Sequence, residues 1–217
     1  MPTASYSTVV KIAGTSTAMV AEPTTDGGAH TIYQITDTTK RVLDPDTAVV
    51  VDKDGAPASS ADYTLDYMFG KVTFAVALGA EIVVTFDASY LPLLEVTTAH
   101  EVDFQVTNEL RDTTQYADDG ERTRTPCLQD LSGTLAVYED GTTDHDTGDD
   151  AATLEEIHEA STASLLEILF GGSTEYLRAW VHFGSMEVGG ALADVVQTRF
   201  PWTAAGRSPA PPFSYGS

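Results

Sequence analysis

Five histidines, one cysteine and 33 acidic residues are the groups in this 217-residue chain that could do chemistry, and their spacing gives them none in common. His30, His100, His145, His158 and His182 are scattered, without the short fixed intervals that bring two imidazoles onto one metal. His145 and His158 fall inside an acidic run and read as solvated groups, and His182 alternates with Val181 and Phe183, so it faces the opposite side of their strand. Cys127 is alone, which excludes an intrachain disulfide and a multi-cysteine zinc site; it reads as a small core residue. The chain contains no Gly-x-Ser-x-Gly elbow, no phosphate-cradling glycine loop with its lysine, no GxGxxG after a strand and no HExxH. The expectation is a protein that is not an enzyme, with no catalytic residue and no cofactor.

The carboxylates invite two further readings. Asp140, Asp144, Asp146, Asp149 and Asp150 could ligate Ca²⁺ through several hard oxygens on one loop, but their spacing is not that of a twelve-residue EF-hand. They are weak metal candidates, and a repelling acidic surface is the plainer account. Asp52-Lys53-Asp54-Gly55 has the opening of such a loop and lacks its later ligands. Glycoside hydrolysis needs two carboxylates across one cleft, and nothing singles out a pair among so many.

The elements that must position these groups are mostly strands. Hydrophobic residues make up 42% and charged residues 20%, a folded composition. Against 11 Lys and Arg the acids leave a net charge of -22, which argues against binding to nucleic acid by phosphate neutralisation. The acids concentrate after residue 95, and the run from Glu139 to Glu159 holds nine carboxylates and no Lys or Arg. One reading of that excess is a high-salt environment, where dense carboxylates stay hydrated and their repulsion is screened. The N-terminus lacks the basic and apolar regions of a secretion signal, and no apolar run approaches the ~18 residues of a membrane span.

The pattern divides the chain into four parts. Residues 1–28, rich in Thr, Ser and Ala, read as an N-terminal arm. Residues 29–94 read as an all-β module, with a hairpin in which Tyr63, Leu65 and Tyr67 and then Val72, Phe74 and Val76 alternate with smaller or polar residues around Gly70. Residues 95–205 begin with the alternating strand of Val102, Phe104 and Val106, followed by a long polar loop over 108–130 and a strand over 131–139. A helix is expected over about 153–170, from a capping box at Thr153 and Glu156 and the spacing of Leu154, Ile157, Leu165, Ile168 and Leu169, with Gly171-Gly172 as its stop. Residues 206–217, rich in proline and glycine, read as a C-terminal arm.

This assembly resembles the major tail tube protein of long-tailed double-stranded DNA viruses of bacterial or haloarchaeal hosts. The carrying segments are YADDGERTRTPCLQDLSGTLAVYEDG, ATLEEIHEASTASLLEILFGG, EYLRAWVHFGSMEVGG and DVVQTRF, with TIYQITDTTKRVLDP and DYTLDYMFGKVTFAVALGAEIVVTFDASYLP in the first module. The resemblance implies a mainly β fold, a tail-tube-type β-sandwich or barrel with one flanking α-helix, joined to an N-terminal all-β module and extended terminal arms. It implies a virion tail subunit, assembled in the host cytoplasm as hexameric rings that stack into a hollow conduit through which viral DNA passes at genome ejection without specific binding. Its partners would be copies of itself and tail proteins such as tape measure, terminator and baseplate components, with no membrane. Asn108, Arg111, Tyr116, Asp118, Asp119, Arg122 and Arg124 become inter-subunit loop candidates, and Glu139 and Glu175 candidates for an acidic lumen that repels phosphates. The alternative is a calcium-assisted carbohydrate-binding β-sandwich module, which would stay monomeric and gain stability from calcium.

Overall fold

The structure is a computed structural model and describes residues 8–112, 124–139, 163–171, 175–185, 187–188, 196–205 and 213–216. In chain order its strands are β1 (Val9–Ala13), β2 (Thr17–Asp26), β3 (Ile32–Ile35), β4 (Val50–Lys53), β5 (Ala56–Pro57), β6 (Tyr63–Asp66), β7 (Lys71–Phe74), β8 (Val84–Tyr90), β9 (Leu93–Glu95), β10 (Ala99–Asp112), β11 (Arg124–Glu139), β12 (Ser164–Leu169), β13 (Tyr176–Phe183), β14 (Glu187–Val188), β15 (Val196–Ala204) and β16 (Phe213–Gly216). Among the described residues the helical content is a single 3₁₀ turn, Thr38–Lys40, capped by the Asp37 carboxylate, which accepts from the amide of Thr39. The protein is mainly β, and its antiparallel sheets curl into a half-barrel.

Two sheets share the strands. One runs β5-β4-β8-β2-β3-β7-β6, and the other runs β10-β11-β15-β13-β12-β1-β9, with β14 beside β15 and β16 beside β13. The expected hairpin is β6 and β7, with Leu65 facing Val72 and Asp66 facing Lys71. Gly70 before it has φ +57, and a Cβ there would lie 2.7 Å from the Arg41 carbonyl, so both backbone shape and space demand glycine. Asp54-Gly55 closes β4 onto β5 with both φ angles positive, the hairpin turn these residues favour. That turn, with Asp54 Oδ1 accepting from the amide of Val83, is the role of the motif that opened like a calcium loop.

Three expectations are corrected. Residues 164–169, the second half of the expected helix, form β12, which lies between β13 and β1. The run Ser164-Leu165-Leu166-Glu167-Ile168 is buried throughout, because both faces of the strand are covered, and a continuous apolar run carries no period that separates strand from helix. Residues 153–162 lie outside the described residues. The expected N-terminal arm holds β1, which lies between β12 and the edge strand β9 in the nine-stranded sheet, and β2, central in the other; its Thr and Val suit strands, and the chain crosses between the sheets at Gly14 to Ser16. The expected C-terminal arm holds β16, whose Phe213 to Gly216 pair with Ala179 to Tyr176.

Each sheet has its own core. Val10, Ile12, Leu131, Leu135, Leu166, Ile168, Val181, Phe200 and Trp202 cluster on one face of the nine-stranded sheet. Tyr33, Ile35, Val51, Val72, Phe74 and Phe86 fill the other. A third cluster joins them: Leu165 and Trp180, from the second face of β12 and β13, pack against Val42, Met68, Phe69 and Leu91. At about 1.5–3 kcal/mol for each large side chain fully buried, this seam is a strong joint.

A charged ladder crosses the same seam. Lys11, Glu167 and Arg178 sit opposite one another on β1, β12 and β13. Arg178 Nε donates to Glu167 Oε2 at 2.7 Å, and Lys11 Nζ lies 3.3 Å from Glu167 Oε1. The Arg178 guanidinium also donates through Nη1 to the Met68 carbonyl of the first module and stacks over Phe69 and Tyr176. Its fork is thereby spread between two strands and a turn that are far apart in sequence.

Candidate assembly surfaces

Among the described residues the two strand orders end in four edge strands, which differ in kind, besides the short branch strands β14 and β16. β5 is two residues long and ends in Pro57, β9 is three residues long, and β6 is four. Short strands and proline make poor templates for a further strand. β10 is fourteen residues long, and its outer side pairs with nothing among the described residues. Such an edge presents a row of unspent backbone donors and acceptors.

The β10–β11 hairpin divides its two faces cleanly. Val102, Phe104 and Val106 stand opposite Leu135, Gly133 and Leu131, and this row meets the core of the nine-stranded sheet. Leu131 and Leu135 are fully buried, whereas Phe104 and Val106, one strand further out, are 36% and 38% exposed. Phe104 finds one neighbour in Phe170, at 5.9 Å between ring centres. The other face carries Glu101, Asp103, Gln105 and Thr107 opposite Ala136, Thr134, Ser132 and Asp130. Asp103 also accepts from the amide of Thr134 at 2.6 Å, which ties its carboxylate across the strand pair. The period of two that a half-buried strand requires thus places Glu101 and Asp103 together on a solvated surface.

Gly133 explains how β11 lies so close to its neighbours. A Cβ there would meet the Asp103 carbonyl, and the Trp202 ring at 2.6 Å, so the indole of β15 packs on bare backbone. On the solvated face His100 stacks on Tyr138 at 3.7 Å between ring centres, and Gln197 Nε2 lies 2.9 Å from His100 Nε2.

The site residues named from the sequence fall as follows. Asn108 and Arg111 lie on β10 and Arg124 on β11, where they pair with Gln129, Thr125 and Asp112. The long loop expected over 108–130 is therefore strand at both shoulders, with Leu131 continuing β11 inward; its polar residues carry no apolar alternation from which a strand could be read. Tyr116, Asp118, Asp119 and Arg122 lie outside the described residues. So do Asp140, Asp144, Asp146, Asp149 and Asp150. Glu139 ends β11 opposite Val196, and Glu175 is exposed just before β13, with its carbonyl accepting from the amide of Phe170. Among the described residues no three His, Cys, Asp or Glu side chains gather as a metal site, and no helix is long and apolar enough to cross a membrane.

Sequence reasoning missed the Lys11–Glu167–Arg178 ladder. Its signal was present: one Glu inside SLLEIL and one Arg inside YLRAWVHF are opposite charges in otherwise apolar strands, and buried charges require partners.

No known family and no curated protein matches the chain. Among solved structures it is similar to a chain in the tail of an empty gene transfer agent particle with C6 symmetry, with 11% identity and a TM-score of 0.46 over 58% of this chain and 87% of that one. It is also similar to a chain in the virion of a native gene transfer agent particle, with 14% identity and a TM-score of 0.44 over 58% of this chain and 89% of that one.

Proposed function

We propose that the chain is a structural, non-enzymatic subunit of a viral tail tube, built from stacked hexameric rings around a conduit for DNA. The observation that carries this reading is the fourteen-residue edge of β10, whose outer side is unpaired among the described residues while the other edges are short or end in proline. A protein that worked as a monomer would gain nothing from such an edge and would risk aggregation. Ring closure removes the hazard, because each open edge is taken up by the next copy and the rotation brings the last back to the first. The exposed Phe104 and Val106 then become buried in the contact.

The same placement directs the acidic face inward. If the curled sheets of successive copies join, Glu101, Asp103 and Asp130 line the bore with carboxylates and hydroxyls, and a passing phosphate backbone meets like charge. The virion is then the location, and other tail proteins the partners. A halophilic host accords with the net charge of -22.

Negative-stain electron microscopy of the purified chain at high concentration tests the reading, with light scattering alongside. Wild type forms six-fold rings or hollow tubes, and Phe104→Lys, which places a charge in the contact, stays monomeric with unchanged far-ultraviolet circular dichroism. A wild type that remains a monomer at every concentration and salt overturns it.

A further inference from the structure

The seam between the sheets opens on one side into a cleft of about 610 Å³. Its lining brings the cations Lys11, Arg41 and Arg178 together against one carboxylate, Glu167, with Thr38 and Tyr176 beside them. In a chain where acids outnumber bases threefold, this concentration of positive charge is out of keeping with the rest of the molecule.

The donors of this cleft are only partly spent. Arg178 gives Nε to Glu167 and Nη1 to the Met68 carbonyl, and its Nη2 makes no hydrogen bond among the described residues. Arg41 gives Nε to the Ile35 carbonyl at 2.9 Å, and its two terminal nitrogens likewise make none. The Arg178 side chain is only 8% exposed, so water hydrates its remaining donors poorly. Its stacking over Phe69 and Tyr176 holds the fork in place, so little further ordering is lost when something binds. Arg41 comes from the module of the first sheet, immediately after the Thr38–Lys40 turn, and Lys11 and Arg178 come from the second.

We propose that this cleft is a binding site for a small tetrahedral oxyanion of the phosphate or sulfate class, which bridges Arg41 of one module to Lys11 and Arg178 of the other. Donors that converge from two layers suit the divergent oxygens of a tetrahedral ion, and charge-assisted hydrogen bonds to guanidinium are the strong kind. The Thr38 hydroxyl supplies a further, neutral donor. Occupancy ties the two modules together and raises the stability of the whole chain by mass action. The site does not depend on assembly, so it stands or falls apart from the tail-tube reading.

Isothermal titration calorimetry of the full chain with sodium phosphate, at ionic strength held constant with chloride, tests it. Wild type shows saturable binding of one ion per chain, sulfate competes, and the melting temperature rises with phosphate. Arg41→Gln weakens binding about tenfold, the loss expected for a hydrogen bond to a charged group. Thr38→Val, which leaves the Arg41 bond to Ile35 intact, weakens it in the same direction, and Arg199→Gln, on an exposed residue outside the cleft, leaves it unchanged. No saturable heat for wild type, or equal weakening by Arg199→Gln and Arg41→Gln, overturns the proposal.

Discussion

Arg178 shows how much one side chain can be asked to hold. It is buried, charged and bonded to both a neighbouring strand and the other module, so removing it strands Glu167 with Lys11 alone. Arg178→Met is expected to cost about 3–5 kcal/mol, the range for breaking a buried pair, whereas joint replacement of Arg178 and Glu167 by apolar residues costs less than the single change. Urea unfolding with linear extrapolation distinguishes the two. A second prediction concerns Tyr33, Tyr63 and Tyr67, whose phenols burial pushes above their ordinary value of 10.0, with the Asp26 charge adding to Tyr33 and Tyr67 adding to Tyr63. A group whose value is raised by folding keeps its contribution below the unfolded value and loses it as pH climbs through the folded one. Stability in urea should therefore be flat up to about pH 9 and fall above about pH 10, in step with tyrosinate absorbance. A midpoint that holds constant through tyrosine ionisation would contradict this assignment.

Among the elements, β11 is the strand whose sequence does most to set its neighbours' positions. Gly133→Ala drives a methyl into the Trp202 ring and the β10 backbone, and about 1–3 kcal/mol of overpacking strain is expected, with altered tryptophan fluorescence as the accompanying sign. Chemical denaturation followed by fluorescence measures both. What the sequence made legible at this scale depended on exposure. The β6–β7 hairpin could be read because each strand has one wet face, so Leu65 and Val72 alternate with Thr64 and Thr73. β12 could not, since a strand covered on both sides loses its alternation, and its Leu and Ile fall at helical spacings by chance. β1 was hidden for a different reason: its partners, β9 and β12, are remote in sequence, and no local pattern announces a distant neighbour. The assembly surface was half legible. The polar stretch after Val106 was recognisable as unusual, but the open edge exists only once the strand order is known.

For the whole molecule the dominant fact is charge. With a net charge of -22, carboxylates repel one another across both modules, and this works against the folded state at low salt. Raising salt from about 0.1 M to about 1 M shortens the screening length from ~10 Å to ~3 Å, so the melting temperature should rise across that range. Differential scanning calorimetry in sodium chloride checks this, and a melting temperature indifferent to salt would show that the acids are spaced too widely to matter. The placement of β1 has a bearing on biosynthesis. Every strand of the first sheet lies between Thr17 and Tyr90, so that sheet has all its partners while the ribosome is still at work on the remainder. β1 is translated before any of it, yet its partner β12 emerges only after Ser164. Until then the first strand has only the three-residue β9 beside it, and closure of the second sheet becomes a late, long-range step. A chain interrupted before β12 would carry a finished first sheet on an unfinished second one, a species that cellular proteases can recognise and clear before it reaches any growing assembly.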